Sequence, residues 1–190
     1  MTGWLPGVVR RPSPHCDARP AGSAIDLLVV HGISLPPAQF GGDWIDALFC
    51  GELPQRLAAL TAQERAAAGF LDSIRMLRVS AHLLVRRDGQ VVQYVPLQAR
   101  AWHAGVSCWE GRERCNDFSI GIELEGADDI PYEACQYHRL GALCRQIMAR
   151  YPAITPARIV GHSDIAPGRK TDPGTAFDWA SLRRLLAGPA

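Results

Sequence analysis

The chain has 190 residues, of which 47% are hydrophobic and 21% are charged. This composition is typical of a soluble globular protein that is large enough for a real core. The formal net charge is only +1, and no apolar run approaches the roughly 18 residues that a membrane span needs. We therefore expect one domain over residues 1–190, with no nucleic-acid partner and no membrane partner. A monomer is also expected, although no sequence feature indicates the oligomeric state.

The N-terminal segment has no basic stretch followed by an apolar one, which is the pattern of a secretory signal peptide. Six cysteines are present without a Cys-x-x-Cys pair, and without an export signal we expect reduced thiols. These features predict a cytoplasmic protein. Residues 1–24 are rich in Pro and Arg and predict an irregular N-terminal arm packed on the domain, because proline disfavours helix.

The first strong structural signal is residues 25–31, a short apolar run that indicates a buried strand. It ends at His31, where an imidazole at a strand end could be a metal ligand. Segments 78–85 and 90–95 flank an Asp-Gly pair, which predicts a β-hairpin. His82, inside the first of these segments, is interpreted as a core histidine.

Two segments between these strands give weaker signals. Residues 43–49 predict a short helix, whereas residues 51–77 are rich in Ala and Leu without a clear period. Further along, Trp102 and His103 lie among small residues, an arrangement that fits a pocket wall and a packed turn equally well.

Residues 118–126 alternate strictly and predict a strand with one apolar face. The opposite face carries two small residues and then two carboxylates, namely Ser119, Gly121, Glu123 and Glu125. Because glycine weakens a strand, a plain solvent face is a poor explanation. We interpret this face as room for a ligand beside two acids.

The clearest helix spans residues 131–150, and a second is predicted over 177–187. Between them, the apolar pair 159–160 ends a strand and leads into the polar loop 161–174. Loops held between rigid elements often carry functional groups.

This loop contains His162, Asp164, Lys170 and Asp172. Two histidines and a carboxylate form a plausible open zinc site. A further carboxylate could move a proton and a lysine could stabilise an oxyanion, which together describe a zinc amide hydrolase. The residue types alone leave open whether Asp164 or Asp172 is the ligand, and whether Glu123 or Glu125 is the base.

Five motifs occur together and in order: 29–37 (VVHGISLPP), 78–82 (RVSAH), 100–107 (RAWHAGVS), 111–126 (GRERCNDFSIGIELEG) and 170–174 (KTDPG). This set closely resembles the AmpD-type anhydro-N-acetylmuramoyl-L-alanine amidases. They belong to the type 2 N-acetylmuramoyl-L-alanine amidase family, related to T7-type lysozyme and the peptidoglycan recognition proteins. The resemblance covers nearly the whole chain.

The resemblance implies one Zn²⁺ per chain, held by His31, His162 and Asp172. It implies Glu123 as the acid/base and Lys170 as the oxyanion-stabilising group. For substrate binding it suggests residues that hold stem-peptide carboxylates or wall the pocket, namely Arg78, Trp102, Arg114 and Arg169.

The implied fold is α/β, a mixed central β-sheet with helices on both faces. The implied activity is hydrolysis of the amide between (anhydro-)N-acetylmuramic acid and L-alanine in small soluble muropeptides, during peptidoglycan recycling. The alternative is a non-catalytic binding module for peptidoglycan fragments, in which a ligand position is typically lost. One departure is Gly32, where the family usually has Asn, so we expect one sugar or amide contact to be lost or replaced by water.

Overall fold

A computed structural model of the chain describes residues 3–188. Its strands are β1 (Val9–Arg10), β2 (Cys16–Asp17), β3 (Leu27–Ile33), β4 (Leu83–Val85), β5 (Val91–Gln93), β6 (Arg100–Ala101), β7 (Cys108–Trp109), β8 (Arg112–Glu113), β9 (Ser119–Glu125) and β10 (Ile159–Gly161). The main sheet has the order β1-β5-β4-β9-β3-β10, and every neighbouring pair is parallel except β4 and β5. That antiparallel pair is the hairpin predicted from the Asp-Gly signal.

Helices cover both faces of the sheet. They are α1 (Trp44–Phe49), α2 (Leu53–Ala58), α3 (Ala62–Ala67), α4 (Gly69–Ile74), α5 (Ala134–Arg150), α6 (His162–Ile165) and α7 (Trp179–Ala187), with short 3-10 turns at Cys115–Asp117 and Pro156–Arg158. The prediction of a mixed α/β fold with a central sheet is confirmed. None of the helices within residues 3–188 is both long and apolar enough to cross a bilayer.

One face of the sheet packs on α5 and α7. Alternate strand residues such as Leu28, Ile122 and Val85 point to this side, where they meet the apolar side of α5. Because successive strand side chains alternate between faces, the other residues of the same strands must serve the opposite side.

The opposite face carries two smaller cores with a polar strip between them. Helices α1, α2 and α4 pack over β4 and β5, around residues such as Leu84. Leu27, Val29 and Ile165 form the second core, over β3 and α6. The strip between them includes Ser119 and Glu123 of β9, and it positions the site.

The predicted elements differ from the structure mainly at their ends. The arm at residues 1–24 is not wholly irregular, because it supplies the two-residue strands β1 and β2; residues 1 and 2 lie outside the described part. Residues 51–77 fold into three short helices, α2 to α4, and a Thr61–Glu64 capping box begins the middle one. These elements are too short to show a period in the sequence.

Candidate metal centre

Three parallel strands deliver the polar groups of the site. His31 continues the buried face of β3, and Glu123 of β9 is its direct register partner. His162 follows β10 immediately, as the first residue of α6. Ligands of open α/β sheets gather at the carboxyl ends of parallel strands, and this site follows that rule.

His31, His162 and Asp172 converge on one point. His31 Nδ1 lies 3.0 Å from His162 Nδ1 and 3.2 Å from Asp172 Oδ2. The distance from His162 Nδ1 to Asp172 Oδ2 is 3.0 Å. By contrast, Asp164 accepts a 2.7 Å hydrogen bond from the backbone N–H of Gly161, at the start of α6. Of the two aspartates considered from the sequence, Asp172 is the one beside the histidines.

The ionisation of this cluster favours metal binding. Burial lowers the pKa of His31 to about 4, so its imidazole is neutral at physiological pH. Burial alone would raise the pKa of Asp172, but its close contacts with the ring nitrogens of His162 and His31 outweigh burial, and the pKa lies well below the usual range. Neutral imidazoles and an ionised carboxylate are the forms that bind metal ions.

Glu123 and Glu125 lie on the same face of β9 in different surroundings. Burial, and then the charge of Asp172, raise the pKa of Glu123 well above its ordinary value. Within the described chain, its Oε2 is buried without a hydrogen-bond partner. Glu125 instead accepts hydrogen bonds from the backbone N–H groups of Gly41 and Arg87, at 2.7 and 3.1 Å. Glu125 therefore holds two loops together, and Glu123 is the acid that lies beside the histidine cluster.

Lys170 lies on the exposed rim of the same site. Its positive charge lowers the pKa of both Glu123 and His31. The ammonium is thus close enough to interact electrostatically with the proposed base and with a proposed ligand.

The outer ring nitrogens of both histidines are also engaged. His31 Nε2 lies 2.9 Å from His103 Nδ1, and His162 Nε2 lies 3.2 Å from the carbonyl oxygen of Ala104. Both Nδ1 atoms are therefore left facing Asp172. Such outer contacts fix the orientation and tautomer of metal-binding histidines.

The residues suggested for substrate binding fall into separate places. Arg114 and Arg169 line a recess of about 490 Å³ together with Val106 and Pro167. Arg169 uses its Nε and Nη2 atoms to donate to the carbonyls of Ala104 and Val106.

Arg78 lines a different recess, of about 250 Å³, beside His15 and Met76. Trp102 stacks on His15 with ring centroids 6.1 Å apart, and its indole N–H donates to Asp17. The structure thus brings Arg114 and Arg169 together and leaves Arg78 and Trp102 at another part of the surface.

Sequence reasoning missed two contributors. The small residues Ser119 and Gly121 do leave space on this face of β9, but the ring of His103 occupies it instead of a ligand. Tyr132 was not considered, although its hydroxyl donates a 2.9 Å hydrogen bond to the carbonyl of Pro173, next to Asp172. The glycine within strand β9 was the sequence signal that could have indicated His103. The sequence contains no comparable signal for Tyr132.

Fold and site together define an α/β protein with a His-His-Asp cluster next to a buried glutamate. A family model described as N-acetylmuramoyl-L-alanine amidase matches residues 21–175. The chain belongs to this family.

Individual relatives match over most of the chain. The 1,6-anhydro-N-acetylmuramyl-L-alanine amidase AmpD of Escherichia coli (strain K12) is 56% identical over 185 residues, covering 97% of this chain and 95% of the relative. The AmpD of Haemophilus influenzae is 52% identical over 167 residues, covering 88% and 85%.

Solved structures agree in fold. A crystal structure of a selenomethionine AmpD derivative superimposes with a TM-score of 0.88 at 54% identity, covering 98% of both chains. The amidase AmiD from E. coli, solved with the substrate anhydro-N-acetylmuramic acid-L-Ala-D-gamma-Glu-L-Lys, gives a TM-score of 0.59 at 34% identity. That match covers 88% of this chain and 60% of AmiD.

Proposed function

We propose that this protein is a zinc-dependent amidase that hydrolyses the bond between anhydro-N-acetylmuramic acid and L-alanine in small muropeptides. The main observation in support is that His31, His162 and Asp172 converge beside Glu123. The Oε2 atom of Glu123 has no hydrogen-bond partner among the described residues. The identity to AmpD relatives supports the substrate class. Recycling of such fragments takes place in the cytoplasm, which we propose as the location.

The three side chains fit a zinc ion. Ligands 2.0–2.2 Å from a tetrahedral zinc lie roughly 3.3–3.6 Å apart, and the three donor atoms here are separated by 3.0–3.2 Å. A set of two imidazoles and one carboxylate is typical of catalytic zinc and leaves a fourth position open. When bound, zinc would polarise the amide carbonyl and lower the pKa of water to about 7.

The side chains of the protein account for the proton transfers. Glu123 would accept a proton from the attacking water and then donate it to the leaving amine nitrogen of L-alanine. Its raised pKa suits both steps, because it makes the carboxylate a stronger base and leaves a carboxylic acid that can then donate the proton. Lys170 would oppose the negative charge that develops on the carbonyl oxygen.

We propose that Arg114 and Arg169 contact stem-peptide carboxylates, since both line the 490 Å³ recess. Arg78 and Trp102 are proposed as contacts to a more distant part of the muropeptide, because Arg78 lines a separate recess and Trp102 stacks on His15 of that recess. The expectation of a monomer remains a prediction.

The test is hydrolysis of anhydro-N-acetylmuramoyl-tripeptide by the purified protein, followed by mass spectrometry. We expect release of free tripeptide, loss of activity with a chelator, and recovery with zinc. A folded, zinc-loaded protein that leaves the substrate intact would contradict the proposal and favour a binding module. Retained activity after complete metal removal would contradict the zinc dependence alone.

A further inference from the structure

The two proposed zinc-binding histidines are oriented by two consecutive residues, one for each histidine. The side chain of His103 contacts Nε2 of His31 at 2.9 Å, and the carbonyl of Ala104 contacts Nε2 of His162 at 3.2 Å. The carboxamide oxygen of Asn116 accepts the backbone N–H groups of both residues, at 3.1 and 2.8 Å. The segment 103–104, which Asn116 holds through two hydrogen bonds, therefore contacts both proposed ligands at the ring nitrogen opposite the metal site.

The hydrogen bonds around His103 have a determined direction. The carbonyl of Cys115 can only accept, so the hydroxyl of Ser119 donates to it at 2.6 Å. The lone pair of that hydroxyl then accepts from His103 Nε2–H at 3.2 Å. A neutral imidazole has one N–H, so His103 Nδ1 must accept from His31 Nε2–H. His31 is thereby fixed in the tautomer whose free lone pair, on Nδ1, faces His162 and Asp172.

The strand β9 makes room for this arrangement. A Cβ atom at Gly121 would lie 2.5 Å from Cγ and 2.6 Å from Nδ1 of the His103 ring. Any larger residue at this position would push the ring away from His31. The unusual glycine and serine of β9 are thus explained by the histidine that lies over them.

We propose that His103 is a positioning residue for metal binding, which holds His31 in the ring orientation and tautomer that present Nδ1 to the zinc. This inference rests on the zinc site of the proposed function. The ring of His103 contacts His31 at Nε2, on the side of the imidazole away from the His162 and Asp172 donor atoms, so its effect on metal binding would pass through His31. Outer-shell partners of this kind typically change metal affinity 10–100-fold when removed.

Two variants of nearly equal size separate the hydrogen bond from packing. His103→Asn keeps an acceptor oxygen close to the position of Nδ1, whereas His103→Leu has a similar shape and no acceptor. Zinc affinity is measured for each against a chromogenic chelator, and the visible spectrum of the Co²⁺-loaded protein reports the ligand geometry. Thermal unfolding in excess chelator reports any loss of packing.

We expect His103→Leu to bind zinc about 10–100-fold more weakly and to show a changed Co²⁺ spectrum. His103→Asn should stay within a few-fold of the wild type and keep its spectrum. Ser119→Ala removes only the hydroxyl that orients His103, so it should also weaken zinc binding, by a smaller factor. This variant tests the inference if neither His103 variant folds.

Equal affinities of the wild type, His103→Leu and Ser119→Ala would overturn this inference and leave the proposed function intact. Equal losses in the Leu and Asn variants would also overturn it, because packing would then explain both. A wild-type protein that binds no zinc would overturn the metal site itself and, with it, the role of His103.

Discussion

Two carboxylates on one face of β9 lie in different surroundings, because they have different hydrogen-bond partners. Glu125 receives two backbone N–H groups and is satisfied as an anion. The pKa of Glu123 is raised well above its ordinary value of 4.5, by burial and then by the nearby charge of Asp172. In the metal-free protein the folded state therefore binds a proton at Glu123 more tightly than the unfolded state does, so the unfolding free energy falls as pH rises from 4.5 towards the raised pKa.

Glu123→Gln should consequently reduce activity and increase stability. We expect a loss of about 10²–10⁴-fold in kcat, because the amide cannot accept a proton. In excess chelator, the variant should have a higher melting temperature than the wild type, and the gain should be larger at pH 8 than at pH 5. Activity assays and thermal unfolding at the two pH values measure both effects.

Glu125→Gln is the matched control. Its amide N–H₂ would face a backbone N–H, so this variant should lose stability while the folded fraction keeps most of its activity. Unchanged activity in Glu123→Gln, or a lower melting temperature for it at pH 8, would contradict the assignment of the two acids.

At the scale of elements, the loop that carries Asp172 is tied to the segment before α5. The hydroxyl of Tyr132 donates to the carbonyl of Pro173, and the tyrosine is largely buried. The position of a Cβ on Gly32 is 2.3 Å from this hydroxyl, and a Cβ on Gly126 would lie 2.2 Å from the ring. Two glycines thus leave space for Tyr132, and the Gly32 that departs from the family pattern lies directly against its hydroxyl.

A double-mutant cycle tests this contact. Tyr132→Phe should cost about 1–3 kcal/mol of unfolding free energy, because the buried carbonyl of Pro173 loses its donor. Gly32→Ala should also destabilise the protein by displacing the hydroxyl. When Gly32→Ala is made together with Tyr132→Phe, the added methyl no longer meets an oxygen. The double variant should therefore lose less unfolding free energy than the sum of the two single variants, by about 0.5–3 kcal/mol. Denaturant unfolding in chelator measures the cycle, and strictly additive costs would rule out the coupling.

The sequence predicted long elements with a regular hydrophobic pattern better than short or irregular ones. Strand β9 and helix α5 were predicted close to their actual bounds, because alternation and helical spacing are local properties. The two-residue strands of the N-terminal arm gave no local signal, since pairing with distant strands is what creates them.

The same distinction applies to the candidate site. The residues of the His31, His162 and Asp172 cluster could be proposed from a family resemblance, whereas their separations of 3.0–3.2 Å come only from the tertiary structure. The role of His103 depends on a contact between residues 72 positions apart, which no local pattern can indicate.

At the scale of the whole molecule, the polar strip between the two small cores contains a buried histidine, His82, whose titration should couple folding to pH. His82 is fully buried there, where it accepts the backbone N–H of Gly121 at Nδ1. Its Nε2 faces Arg19 at 3.2 Å, and the ring of His103 lies 5.7 Å away. Burial, and then the charge of Arg19, lower the pKa of His82 to about 3.

This shift predicts a stability loss in acid. Between pH 6.5 and about 3 the unfolded state protonates at His82 and the folded state does not, so the stability present above pH 6.5 is lost as pH falls. The slope from one such histidine is about 1.4 kcal/mol per pH unit.

His82→Asn keeps an acceptor for Gly121 and has no titrating group, so its unfolding free energy should fall less steeply in acid. Denaturant unfolding in chelator from pH 7 to 4.5 should show the two curves diverging by roughly 2–3 kcal/mol. Parallel curves would mean that acid unfolding starts elsewhere, because the other buried groups titrate identically in both proteins.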